Sequence, residues 1–165
     1  MSKRIRRILG VFSALAAYII LHEGAHLVYA LSIGTFKQIN FLGLGIQIDV
    51  YADLMSDTQL GIFCLVGAVT TLIAAYGLVA ATDKICQVKS KVFKACMYYI
   101  TSGLLLVDPL YLSLLYGFFG GGDMNGIALL FPEGIARIGF GVLLMVNAFI
   151  FWKLILPKYK KAFAG

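Results

Sequence analysis

The sequence predicts an all-α membrane protein: a four-transmembrane-helix bundle with a short surface β-strand or hairpin after the first helix. Three observations predict it. The 165 residues are 61% hydrophobic and only 13% charged, against roughly 25% charged in soluble domains. Four apolar stretches are each long enough to cross about 30 Å of hydrocarbon at 1.5 Å per residue. Between the first two stretches, the pattern changes from helical to alternating. Backbone groups in lipid must be satisfied within their own segment, and so short a chain cannot close a barrel, so the spans are helices. The length suits one membrane-embedded domain over residues 1–165, with no internal repeat or low-complexity tract.

The first span covers about 9–33. A basic start, "MSKRIRRILG", precedes it as in a signal peptide, but the apolar run is too long for an h-region and no small-residue cleavage site interrupts it. It is read as a retained helix. After it, "INFLGLGIQIDV" alternates at Ile46, Gln47, Ile48, Asp49 and Val50, with Gly43 and Gly45 placed to turn or bulge the chain. The second span covers about 59–82; Gly67 and Thr71, four apart in it, read as small residues for close helix packing. The third covers about 95–119 and contains "VDPLY". The segment "GGGDMNG" follows, with Asp123 at the start of what reads as a short re-entrant helix. The fourth span covers about 138–156 and holds Asn147, read first as an interhelical hydrogen-bonding residue and second as a partner for a substrate carbonyl.

Charge alternates at every crossing. Lys3, Arg4, Arg6 and Arg7 precede the first span; Lys84, Lys89, Lys91 and Lys94 lie between the second and third; Lys158, Lys160 and Lys161 follow the fourth. The other two connections carry most of the acids. By the positive-inside rule both termini are cytoplasmic, and the membrane is expected to be the plasma membrane. The net charge of +6 is then accounted for by ends that face anionic lipid, with no nucleic-acid partner. Cys64, Cys86 and Cys96 form no CxxC pair and read as apolar filler rather than a disulfide or zinc framework.

The costly residues are in the first span. "LHEGAHLVYA" puts His22, Glu23 and His26 where every ionisable group is expensive and functional by default. Histidines four apart share a helical face, and both can reach one metal ion. Glu23 is about 100° round the helix, placed to act as a general base on water rather than as a ligand. The chain has two histidines and two glutamates; random placement gives this spacing in roughly one case in seven thousand. Catalytic zinc takes three protein ligands and one open position, so a carboxylate must complete the set. His22 lies about 20 Å along the helix from Leu9, in the outer half of the bilayer. Asp83 is then on the wrong side, whereas Asp123 and Asp108 are both within reach. Asp108 is the alternative ligand or, failing that, a partner for a histidine N–H, and Asn125 is placed to help orient Asp123 or to stand in as a ligand.

An intramembrane HExxH followed by a surface strand and a later aspartate–glycine element resembles the site-2 protease family of intramembrane zinc metalloproteases (peptidase family M50). "GDMNG" stands where that family carries an LDG element, and "VDPLY" where it carries an Asn/Pro element; LDG itself is absent. The resemblance implies His22, His26 and Asp123 as ligands of one zinc ion per chain, and Glu23 as the base of an endopeptidase. Its substrate would be a membrane protein or membrane-associated peptide, cut in or near a transmembrane segment. The strand around Ile46 and Ile48 would pair with the unwound substrate. The competing readings are a non-catalytic metal-binding accessory protein and a metal transporter. An intact Glu23 disfavours the first, and the lack of an acidic relay along the spans disfavours the second.

Overall fold

A computed structural model describes residues 2–43, 45–119 and 122–164. The chain is 82% helical. It runs α1 (Lys3–Ser32), β1 (Phe36–Leu42), β2 (Gly45–Val50), α2 (Asp57–Ala80), α3 (Thr82–Gln87), α4 (Lys91–Leu110), a π-helical turn (Tyr111–Leu115), α5 (Tyr116–Phe119), α6 (Gly122–Ile127), α7 (Glu133–Ile150), a second π-helical turn (Phe151–Ile155) and α8 (Leu156–Ala164). Four helical stretches, 3–32, 57–80, 91–118 and 133–164, are long and apolar enough to cross a membrane. Each begins two to six residues before the apolar run that announced it, and three of the four start at a serine cap that lies outside the run. Ser2 and Ser90 accept from the third amide beyond them, and Ser56 forms a reciprocal capping box with Gln59.

Gly34, at φ +72°, ends α1 and turns the chain into the hairpin. β1 and β2 pair antiparallel from Phe36 opposite Val50 to Leu42 opposite Gly45, with a bulge at Lys37. Gly43 begins the connection at φ +61°; Leu44 lies outside the described residues. The alternation expected of β2 is realised: Ile48 is buried while Gln47 is exposed. Ile48 packs into a core with Ala30, Phe63, Ala68, Leu112, Met124 and Ile127, which seats the hairpin over α1, α2 and α6.

The third span is not one regular helix. Pro109 has no N–H to give the carbonyl of Leu105, and the chain passes into a π-helical turn directly after it. Asn147 of α7 repairs the defect, its Nδ2 donating to the Leu105 oxygen at 2.7 Å while its Oδ1 accepts from the Tyr76 hydroxyl at 2.7 Å. Asn147 is fully buried in these contacts. It lines neither of the cavities at the histidines, and this corrects the substrate-carbonyl role considered for it. Ser113 closes the turn by donating to the Pro109 oxygen at 2.5 Å, and Arg137 Nε donates to the Ser113 oxygen at 3.3 Å.

The two ends of the bundle differ as the charges do. At one end α1 begins, α4 begins and α8 terminates, with Lys158 on Asp83 at 2.8 Å and Lys94 donating to the Ala162 carbonyl at 2.6 Å. The hairpin and α6 occupy the other end, with Lys37 paired to Asp49 at 3.0 Å; that carboxylate holds the exposed ammonium above the usual lysine range.

Candidate metal centre

Two facing stripes build the site. Tyr18, His22 and His26 recur every fourth residue on α1, and Phe63, Gly67 and Thr71 do so on α2, so each triplet lines one helical face. The rings of Tyr18 and His22 stack at 5.1 Å between centroids, and those of His22 and His26 meet edge-on at 4.8 Å. Gly67 makes the approach possible. A Cβ there would stand 2.6 Å from His26 Nε2 and 2.8 Å from His22 Nε2. The space at Gly67 is occupied by two imidazoles, not by helix backbone, so its role is more specific than the packing read from sequence.

His26 Nδ1 lies 2.7 Å from the Phe63 carbonyl. A carbonyl only accepts, so Nδ1 carries the proton and Nε2 presents its lone pair. Asp123 reaches both histidines: Oδ2 is 3.2 Å from His22 Nε2 and Oδ1 is 3.8 Å from His26 Nε2. Ligand atoms of all three residues fall within 4.8 Å of one another. Tetrahedral zinc with bonds of about 2.0–2.1 Å separates its ligand atoms by about 3.3 Å, so the donor set and the spacing fit one small cation. The His22, His26 and Asp123 cluster could hold a metal ion. Both histidine side chains are almost fully buried, whereas that of Asp123 is 25% exposed, which leaves the aspartate side open.

Asp108 lies behind His22. Its Oδ1 accepts from the Tyr18 hydroxyl at 2.5 Å, and its Oδ2 lies against the Thr71 hydroxyl. Oδ1 is also 3.3 Å from His22 Nδ1, within ion-pair range. The angle misses a hydrogen bond, and among the described residues Nδ1 has no hydrogen-bond partner. With Nδ1 rather than Nε2 before it, Asp108 is placed to orient the imidazole, not to share its ion. Asn125 is exposed and accepts from the Tyr116 hydroxyl at 2.8 Å, tying α6 to α5. Two residues from Asp123 on a helix, it points to another side, which corrects its expected place as a ligand or as support for one. The short helix expected after the glycine run is α6; Gly120 and Gly121 of that run lie outside the described residues.

Glu23, Tyr111 and Asp123 form the shared wall of two cavities. One, of about 280 Å³, opens between Ile46, Ile48, Phe63 and Cys64; the other, of about 560 Å³, is lined by Tyr18, Val107, Leu110 and Leu115 between α1 and α4. Glu23 Oε2 accepts from the Ile48 amide at 3.3 Å, so β2 turns this donor to the site. Tyr18, Phe63, Gly67 and Thr71 were not singled out as site residues from sequence. For Tyr18 and Thr71 the available signal was the four-residue spacing. No protein-family model, curated protein or solved structure matches the chain.

Proposed function

We propose that the chain is a zinc-dependent intramembrane endopeptidase that lies in the membrane with both termini cytoplasmic. One observation carries the reading: His22, His26 and Asp123 converge while Glu23, the residue after a ligand, stands free of the cluster beside an open strand edge. Two imidazoles and a carboxylate are the donor set of a hydrolytic zinc site, three protein ligands with a position left open. A pure storage or transport site has no use for a base at that place.

His22, His26 and Asp123 would hold the ion, whose chemistry there is to polarise a peptide carbonyl and acidify water. Glu23 takes the proton as water oxygen bonds to the carbonyl carbon, and delivers it to the amine as the C–N bond breaks. Asp108 keeps the His22 ring in place throughout. A helical peptide bond is shielded, so the substrate enters unwound. The Ile48 amide, now on Glu23, is a donor to which an extended peptide can add as a further strand. Release of Glu23 by an incoming strand would couple substrate binding to the availability of the base.

The test uses full-length protein in detergent and in proteoliposomes. Metal content is measured for wild type, His22→Ala, Asp123→Ala and Glu23→Gln, with cleavage of a transmembrane-peptide library followed alongside. The expected result is one equivalent of zinc in wild type and Glu23→Gln, little in the other two, and cleavage in wild type alone. Zinc bound with no difference in cleavage between wild type and Glu23→Gln would leave a metal-binding accessory protein instead. No metal in folded wild-type protein would refute the centre itself.

A further inference from the structure

A third cavity, of about 420 Å³, lies at the opposite end of the bundle from the candidate metal centre. Its rim is basic. Lys3, Arg6 and Arg7 line it from one stripe of α1, spaced three and four apart, and Lys160 lines it from α8. Its floor is aromatic: Tyr98 and Tyr99 from α4, Tyr159 and Phe163 from α8. The volume falls in the range of about 300–1,000 Å³ typical of small-molecule sites. Among the described residues, no carboxylate pairs with any of the four cations; the acids at this end are represented by Asp83, which is taken by Lys158.

The cavity is built, not left over. Lys94 is buried and spends its ammonium on the Ala162 carbonyl at 2.6 Å, fixing the last turn of α8 and with it Phe163. Tyr98 and Tyr159 pack edge-on at 5.2 Å between centroids. Gly10 meets the Tyr99 ring so closely that a Cβ would overlap it, so α1 comes down on α4 and holds its basic stripe over the floor. Arg4 of α1 and Lys161 of α8, each adjacent in sequence to a lining cation, do not line the cavity.

We propose that this cavity binds the headgroup of an anionic diacyl phospholipid, with the phosphate among Arg6, Arg7 and Lys160 and the glycerol and upper acyl carbons on the aromatic floor. Position and chemistry agree. Four helices long enough to cross a membrane place their basic ends at headgroup level, and basic pockets between such helices attract anionic lipid. A soluble phosphate would match the cations but leave the aromatic floor unused. The inference rests on the membrane placement proposed above and is independent of the peptidase reading.

Native mass spectrometry of the full chain in neutral detergent tests it, with phosphatidylglycerol, phosphatidylcholine of the same chains, and inorganic phosphate as probes. Wild type should retain one phosphatidylglycerol at least tenfold more tightly than phosphatidylcholine, and inorganic phosphate should not displace it. Arg7→Gln with Lys160→Gln should weaken retention about twenty-five-fold, at about fivefold per cation. Arg4→Gln with Lys161→Gln, the same change in net charge, should leave it within twofold of wild type. Arg7→Lys should hold most of the affinity, showing that a fold defect is not being read. Equal weakening by the two double variants would mean a diffuse surface field and overturn the site. So would equal retention of the two lipids, and displacement by inorganic phosphate would make it a site for the free ion.

Discussion

Replacing Gly67 by alanine is the sharpest probe of the candidate metal centre, because one methyl would enter space taken by the His22 and His26 rings. Its carbon would stand 2.6 Å from His26 Nε2 and 2.8 Å from both Nε2 and Cε1 of His22. Ordinary contact begins near 3.4 Å, so the rings must retreat by about 0.6–0.8 Å. Metal–ligand distances tolerate about 0.2 Å. Neither ring is free to yield, since His26 is held on the Phe63 carbonyl and His22 lies between Tyr18, Asp108 and Asp123. Zinc affinity should therefore fall at least as far as it does on loss of a supporting residue, about 10–100-fold. Overpacking costs about 1–3 kcal/mol, and the better helix propensity of alanine returns about 0.8–1.0 kcal/mol. The apoprotein should lose at most about 2 kcal/mol and stay folded. Gly77→Ala is the control: it sits in the same helix with nothing within 4 Å, and should bind zinc normally at equal or higher stability. The assay is competition for zinc against a chromophoric chelator, with thermal unfolding beside it. Gly67→Ala that binds zinc within threefold of wild type would refute the placement of the two histidines against α2.

Asp108→Asn keeps the shape beside His22 but removes the charge; zinc should still bind, about 10–100-fold more weakly, whereas Asp123→Ala should lose it. Equal losses in the two would make Asp108 a ligand and refute the distinction drawn from Nδ1 and Nε2. Ile48→Pro removes the amide on which Glu23 rests: cleavage should fall at least tenfold with zinc content unchanged, and unaltered cleavage would count against strand addition. Asn147→Leu strands the Leu105 carbonyl in the bundle and removes the acceptor of the Tyr76 hydroxyl at its surface. Unfolding in detergent should become easier by about 1–3 kcal/mol for the buried carbonyl left unpaired, with zinc affinity unchanged; a loss of zinc would show that the α4–α7 contact reaches the site.

What could be read from the sequence was whatever lies along a single element. His22, Glu23 and His26 are fixed relative to one another by helix geometry alone, and the alternation from Ile46 to Val50 fixes which strand residues face inward. The four apolar runs identified the helices. Relations across helices were only partly legible. That Asp123 rather than Asp108 meets both Nε2 atoms depends on how α6 folds back beside α1, which no spacing within either segment encodes. Asn147 shows the reason most plainly. Its partner is a carbonyl left without a donor by Pro109, so the sequence displays both the defect, at residue 105, and a polar side chain in an apolar span 42 residues away, but nothing that joins them. Gly67 is the same case with the sign reversed: glycine in a membrane helix permits close approach, and only the structure shows that the approaching atoms belong to the His22 and His26 imidazoles. The elements carrying chemistry were thus legible, and the residues making room for that chemistry were not, because a vacancy has no composition of its own. That asymmetry is why Gly67→Ala, rather than removal of a histidine, is the decisive variant. A lost ligand removes binding wherever α2 lies, while an added methyl weakens it only if α2 lies against both imidazoles.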